Sequence, residues 1–351
     1  MSAPPLEPVD PLLVETVDRL LDEVCTYAVV EQAEYDGWCA PAWDALAEAG
    51  FTRLSIPETA GGSGGSLGDA MAVLRAIGAH AAPVPLAETA VLGGWLLARA
   101  GLTLPDGPIT VVPDGDALVV TDGRVTGRAT VPWARRSAAI VAIARSGDRW
   151  AILRATPEDV EIEPGANLAG EPRDAVAFDV PLDALDHAAA PVDLDGDALH
   201  LRGALSRVVM MAGAADALNR LTVAYTNQRK QFGQPIARFQ AVQHHLVNTA
   251  QCSARLSMAA DVAVRAARRG PASFEIAAAK ILADEAAVDA TRSAHQAHGA
   301  MGMTREYELH HLSRRLWAWR HEYGGVRAWR RRLGDTVAAA GADALFETIA
   351  V

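Results

Sequence analysis

Apolar positions recur at helical spacing over most of the chain, and the pattern changes character once, in the middle. Near the start, Leu12, Leu13, Val14, Val17, Leu20, Leu21 and Val24 repeat every three or four residues, which predicts an amphipathic helix. Trp43, Leu46 and Ala47 form a second apolar face, and Gly50 stands where a left-handed residue closes a helix. Helical periodicity returns over 67–78 and again over 88–100. From about 106 the runs shorten and fill with β-branched residues: 109–112, 117–120, Val125, 138–144 and 150–153. Asp114-Gly115, Asp122-Gly123 and Gly147-Asp148 separate them as turn signals. A Pro- and Asp-rich stretch over 181–197 ends this region. Beyond His200 the chain reads as helical almost to its end. Val208 to Met211, Ala214, Leu218, Leu221 and Val223 are apolar nearly all round, as in a central bundle helix. Phe239, Val242, Leu246 and Thr249 define the next stripe, and Phe274, Ala278, Ile281 and Val288 a third. Shorter helices are predicted around 309–319 and 326–339. The fold class expected is mainly α with a small β domain. It comprises an N-terminal helical domain (1–105), a middle antiparallel β domain (106–197) and a C-terminal four-helix bundle (198–351).

Composition narrows the function. Half of the 351 residues are hydrophobic and the net charge is −11, so a folded globular protein is expected and general nucleic-acid binding is not. No apolar run approaches the ~20 residues of a membrane span. The start, Met1 to Pro5, lacks a basic stretch leading into an apolar one, so no signal peptide is expected. Cys25, Cys39 and Cys252 are odd in number and far apart, which suggests reduced thiols and a cytoplasmic location.

Two stretches carry candidate chemistry. The first runs from Arg229 through Phe232, Gly233, Pro235, Phe239 and Gln240 to Gln243, between two predicted helices. A permanent cation with a planar fork suits a pyrophosphate. Phe232 can pack against a flat ring system, Gly233 and Pro235 allow a tight exit, and Gln240 and Gln243 can reach ribose or ring atoms. An arginine capping helix carbonyls in a surface turn is the plainer alternative. The second stretch is 295–307, in which Gln296, Gly299 and Gly302 interrupt a helical pattern. His295 and His298 lie three residues apart there, but with no further ligand at a defined spacing no metal site is assigned. The glycine-dense loop over 61–65 either cradles a phosphate or simply links two helices; no P-loop Lys-Ser/Thr follows it.

The order helices, strands, helices, taken with these motifs, resembles the acyl-CoA dehydrogenase family of flavoenzymes. The resemblance rests on Trp43-x-x-Leu-Ala-x-Ala-Gly-Phe with Ile56-Pro-Glu-x-x-Gly-Gly, on Arg229-x-x-Phe-Gly-x-Pro-Ile-x-x-Phe-Gln-x-Val-Gln, and on the 295–307 segment. That last segment is similar to the family's Gln-x-x-Gly-Gly-x-Gly, with Ala300 in place of the second glycine. The resemblance implies FAD as cofactor, with Arg229 and Phe232 contacting the FAD of a neighbouring subunit and the Gln296–Gly302 segment its adenine end. Arg229, Phe232, Gln240, Gln296, Gly299, Ala300 and Gly324 are the FAD-site candidates it yields. It also implies α,β-desaturation of an acyl thioester, in which a carboxylate removes the α-proton while hydride leaves the β-carbon. The loop matching the family's base reads Trp319 to Gly325; ungapped counting from Gln296 puts Tyr323 at the base position, and Glu322, one residue earlier, is the candidate catalytic base. The alternative base position used by some members falls at Gly203, where no acidic side chain stands.

The middle region departs from the family. Val131-Pro132-Trp133-Ala134-Arg135 is what remains of the stretch that lines flavin within a subunit, and a Gly-Ser-Asp element is not visible. Arg314, Arg315, Arg320, Arg327 and Arg330 to Arg332 either meet phosphates of CoA or FAD or form a solvated face. Three functions are thereby implied. The first is an FAD-dependent dehydrogenase of an acyl-CoA or carrier-bound acyl thioester, passing electrons to an electron-transferring flavoprotein. The second is a partner subunit that completes a neighbour's FAD site without catalysis of its own. The third is an oxygen-using flavoenzyme on the same scaffold. Homodimer, homotetramer or heterotetramer with a related chain would each satisfy the shared cofactor.

Overall fold

The computed structural model describes residues 8–341 and 343; Met1 to Pro5 and the outermost ends of the two helical domains expected above lie outside the described residues. Helix α1 (Pro11–Val24) starts on Asp10, whose side chain accepts from the Leu12 N–H, with Pro11 supplying a first-turn residue that has no donor to lose. Helices α2 (Tyr27–Asp36) and α3 (Ala40–Glu48) follow, and Gly50, at φ 78°, turns the chain out of α3. Ser66 and Asp69 form a reciprocal capping box at the start of α4 (Leu67–Ala79). A π-helical stretch, Ala87–Gly93, then runs into α5 (Gly94–Ala100).

The strands are β1 (Ile109–Val111), β2 (Leu118–Thr121), β3 (Arg124–Pro132), β4 (Ala139–Ser146), β5 (Arg149–Ala155), β6 (Glu161–Glu163), β7 (Arg173–Pro181) and β8 (Asp186–Ala189). They form one sheet ordered β6-β7-β3-β2-β4-β5-β8, with β1 also paired to β4. Asp122-Gly123 and Gly147-Asp148 turn between β2 and β3 and between β4 and β5, as their sequence signals predict. Two features differ from the expectation. Both β1 and β2 run parallel to β4, one after the other along its edge, so the sheet is mostly rather than wholly antiparallel. The 173–181 segment is also a strand, whose alternation sends Asp174, Val176, Phe178 and Val180 inward.

Helix α6 (Gly196–Gln228) spans 33 residues, about 50 Å at 1.5 Å per residue. It packs against α4, α7 (Gln240–Ala267), α8 (Ser273–His298) and α9 (Leu309–Trp319), while α10 (Val326–Ala340) lies on α8. The buried face of α8 is Ala277, Ala283, Ala286, Ala287, Ala290 and Ala294, whereas Phe274, Ala278, Ile281 and Val288 of the predicted stripe are only half-buried. Small residues let the helices approach, and the larger ones sit at the margins. The closest approach is between α4 and α6. A Cβ on Gly78 would fall 1.9 Å from the Met210 carbonyl oxygen, and one on Gly213 would fall 1.9 Å from that of Arg75.

Candidate functional site

Two groups of residues carry the chemistry, one about a third of the way along α6 and the other at its C-terminal end. At the first, Glu322 follows α9 in a tight turn. Tyr323 and Gly324 both take positive φ (53° and 90°), and the Trp329 indole N–H donates to both of their carbonyls, at 2.9 and 3.1 Å. Gly324 is needed for this packing, since a Cβ there would sit 3.0 Å from the Trp329 ring nitrogen.

The turn sends the Glu322 carboxylate into a cage of arginines. Arg173 donates through Nε and Nη2 to Oε1 (2.8 and 2.6 Å), and Arg207 donates through Nε to Oε2 (2.6 Å). Asn167 adds a longer bond to Oε1. Arg207 also pairs with Glu88, both fully buried, and Arg173 pairs with Glu171 (3.1 Å), which in turn accepts from the Trp319 indole (3.0 Å). The result is an alternating row: Glu88, Arg207, Glu322, Arg173, Glu171. Burial pushes the Glu322 pKa up, but the charges and hydrogen bonds of Arg173 and Arg207 outweigh it and hold the carboxyl down at about 2. The same acidic neighbours raise the pKa of Arg207 against the opposing effect of its burial.

Tyr323, the position reached by ungapped counting, is buried against Gly203, the alternative base position. A Cβ on Gly203 would lie 2.2 Å from the tyrosine ring. The two positions that the resemblance offers for a base thus meet in space, as a phenol and a glycine hydrogen. Burial raises the Tyr323 pKa, so the phenol stays protonated at neutral pH.

At the far end of α6 the setting reverses. Arg229 caps the helix, and 230–231 and 234–235 pair as a two-stranded hairpin around Phe232-Gly233. Both turn residues have positive φ (52° and 80°), the demand of a two-residue hairpin. Glycine meets that demand freely, but phenylalanine does not. Phe232 is nevertheless held there, 91% exposed, with the Phe239 ring set edge-on against it. Among the described residues no side chain pairs with the exposed Arg229 guanidinium, and Gln240 and Gln243 point to solvent beside it. Four residues before Arg229, Tyr225 stacks on His298 (4.4 Å) and reaches its carbonyl. That contact brings the end of α8, with exposed Gln296, Gly299 and Ala300, to the same end of the bundle. Arg229, Phe232, Gln240, Gln296, Gly299 and Ala300 are thus together. Glu322 and Gly324 are not with them: the 22 residues from Arg207 to Arg229 set the groups about 33 Å apart along α6.

This donor set suits the phosphate and adenine parts of a flavin dinucleotide, with a free guanidinium, exposed amides, an exposed aromatic and open backbone. The flavin-facing residues of a single subunit are less in evidence. Trp133, at φ 60°, is buried against Trp38, and Arg135 turns inward to Asp174. The glycine-dense loop closes on itself, with Ser55, Ser63 and Gly64 N–H groups bonded to carbonyls within the loop. The arginine run is largely consumed by ion pairs: Arg314 and Arg315 with Glu34, Arg320 with Asp284, Arg330 with Glu285, and Arg332 with Asp197. The central residues of the Glu322 network, Glu88, Arg207, Arg173 and Glu171, went unnoticed in the sequence. Glu88 and Arg207 did leave a trace, each being a lone charge inside an apolar helical run.

Comparison with known proteins gives matches at both helical ends. Residues 10–102 match the acyl-CoA dehydrogenase N-terminal domain and 200–332 the acyl-CoA dehydrogenase C-terminal domain. Acyl-CoA dehydrogenase IpdE2 of Mycobacterium tuberculosis is 31% identical over 310 residues, 85% of this chain and 88% of that protein. Acyl-CoA dehydrogenase FadE34 of the same organism is 30% identical over 324 residues; the match takes in 86% of this chain but spans 43% of that protein's length. Proteins so named are oxidoreductases acting on CH–CH donors, and members of the family bind FAD. The ChsE4–ChsE5 complex from M. tuberculosis contains a chain that superposes with a TM-score of 0.82 at 24% identity, covering 94% of this chain and 97% of that one. A Tcur3481–Tcur3483 steroid ACAD variant gives 0.83 at 24% identity, over 94% and 98%. Among the described residues, no helix is long and apolar enough to cross a membrane.

Proposed function

Because the chain belongs to the acyl-CoA dehydrogenase family, we propose that it is one subunit of a heteromeric acyl-CoA dehydrogenase, lending half of an FAD site to a related chain that performs the α,β-desaturation. One observation carries the reading: both oxygens of Glu322, the carboxylate nearest the expected base position, are held by arginines. A general base works best with a pKa near the operating pH, and a carboxylate held at about 2 has little affinity for a proton. In this reading Glu322 anchors the fold, and Gly324 serves its turn.

FAD supplies the hydride acceptor when bound. Toward it, Arg229 pairs with the pyrophosphate of the partner-held cofactor, and Phe232 packs on its ring system. The Gln240 and Gln296 amides reach its polar edges, and Gly299 and Ala300 let the backbone approach. The related chain contributes the base and the acyl-CoA cleft, and an electron-transferring flavoprotein takes the electrons. Exposed Val247, Met258 and Val262 along α7, beside the half-buried Val242 and Leu246, offer apolar surface for such a partner. The ChsE4–ChsE5 and Tcur3481–Tcur3483 neighbours, each named for two components, fit an assembly of this kind.

The rival is an autonomous dehydrogenase, which needs both arginines to release Glu322. Purification decides between them. The chain made alone is expected to be colourless and to acquire flavin when co-produced with a related acyl-CoA dehydrogenase chain. Flavin near one per chain in the protein alone, bleached by an acyl-CoA, overturns the proposal.

A further inference from the structure

At the junction of α2 and α9, Glu31 and Glu34 face His310 and His311, with potential ligand atoms all within 4.8 Å of one another. The hydrogen bonds around the two imidazoles show that His310 is engaged at both nitrogens and His311 at Nδ1 alone. His311 Nδ1 lies 2.9 Å from Glu34 Oε1, and that carboxylate also accepts from Arg315 and Arg314. A carboxylate so held only accepts, so His311 Nδ1 carries the proton. His310 Nδ1 lies 2.9 Å from the Tyr307 carbonyl oxygen, which likewise only accepts. Both Nε2 atoms then face a single oxygen: Glu31 Oε2 is 3.1 Å from His310 Nε2 and 3.6 Å from His311 Nε2.

His311 Nε2 is fully buried and has no hydrogen-bond partner. Proteins seldom leave such an atom unsatisfied. A proton on both nitrogens of His310 would satisfy that ring against Tyr307 and Glu31 but would leave His311 Nε2 without a partner, and protonating His311 as well would place two cations with ring centroids 4.1 Å apart. One cation between the three atoms satisfies them all. Zinc bonds to nitrogen and oxygen at about 2.0–2.2 Å, which makes the edge of its tetrahedron roughly 3.3–3.6 Å. The two measured edges bracket that value.

We propose that Glu31, His310 and His311 form a binding site for a divalent transition ion of the zinc class, joining α2 to α9. Glu34 and the Tyr307 carbonyl hold the two rings from behind, as supporting acceptors do in zinc sites generally. A fourth position is left for water. Arg305, which reaches Glu31 through the other carboxylate oxygen at 2.5 Å, leaves Oε2 free for the ion. The site adjoins both groups along α6: Arg315, which donates to Glu34, lies 3.5 Å from Glu171, and the Tyr307 ring packs against Tyr225 and His298.

The test uses the full chain, stripped with EDTA and re-equilibrated with Zn2+, with metal counted by mass spectrometry. Close to one zinc per chain is expected, falling to background in Glu31→Gln and His311→Ala. The His244→Ala/His245→Ala variant, which alters the other adjacent histidine pair, is expected to keep its zinc. Co2+ in place of zinc should give the intense visible bands of a tetrahedral site, lost in Glu31→Gln. Glu31 lies partly exposed, so that variant keeps the test valid if His311→Ala fails to fold. No zinc in the wild-type chain, or an equal amount in Glu31→Gln, overturns the proposal.

Discussion

The two groups of residues along α6 contain the same kinds of side chain and treat them in opposite ways. Near Arg207, each carboxylate and guanidinium of the row is paired with its neighbour, the backbone turn is locked by an indole, and a tyrosine ring fills the space over Gly203. Around Arg229, a guanidinium, two amides and a phenylalanine in an unfavourable backbone conformation all face outward. Buried charges that neutralise one another add specificity and little reactivity. Exposed polar groups held in place by a strained turn are what a ligand would complete. The difference teaches that the presence of a carboxylate at the expected place is not evidence for a base until its partners are known.

The comparison can be broken or sharpened by substitution. Arg207→Ala should have the largest effect on folding, because it strands Glu88 and Glu322 in the interior. A loss of about 3–5 kcal/mol is expected in urea unfolding, against less than about 0.5 kcal/mol for the exposed Arg229→Ala. Equal effects would erase the contrast between the two groups. Acid should come next. The folded pKa of Glu322 lies below the ordinary 4.5, so its contribution is complete above that value and drains away as pH falls toward about 2. Glu34, burial notwithstanding, is held at about 2 by His311 and Arg315 and adds to the same window. Glu322→Gln should flatten the fall in stability between those limits, as followed by thermal melts across pH.

Gly203→Ala should cost about 1–3 kcal/mol by forcing a methyl into the Tyr323 ring. A neutral result would mean that the ring can move aside and that a cavity exists there. Phe232→Gly should have the smallest effect on stability and the opposite sign. Relief of the positive φ is expected to leave the isolated chain unchanged or more stable by up to about 1 kcal/mol. The same change should reduce flavin retention when the chain is assembled with its partner, measured by absorbance of the gel-filtered complex.

Legibility in the sequence followed the range of the forces involved. Local devices could be read directly: Asp10 with Pro11, the Asp-Gly turns, and the Arg229–Gln243 exit between helices. The β7 strand was hidden because its alternation is interrupted by small alanines and two aspartates, one of them buried. The core face of α8 was hidden because periodicity favours large residues, while packing at short interaxial distance favours alanine. The Glu322 cage could not be read at all. Its members come from four distant segments, and only the fold sets Glu88, Glu171, Arg173 and Arg207 around one carboxylate. The same holds for Glu31 and the two histidines, separated by nearly the whole chain.

The glycine contacts between α4 and α6 have a mechanical meaning. Gly78 against Met210 and Gly213 against Arg75 interlock two backbones from both sides, leaving neither helix room to slide or roll on the other. A hinge cannot run through that seam. Amide protons there should exchange with solvent only through global unfolding, while those of the Phe232 hairpin should exchange freely. Whatever motion accompanies assembly is thereby confined to the periphery, and the long central helix delivers its two ends to their neighbours as a fixed spacer.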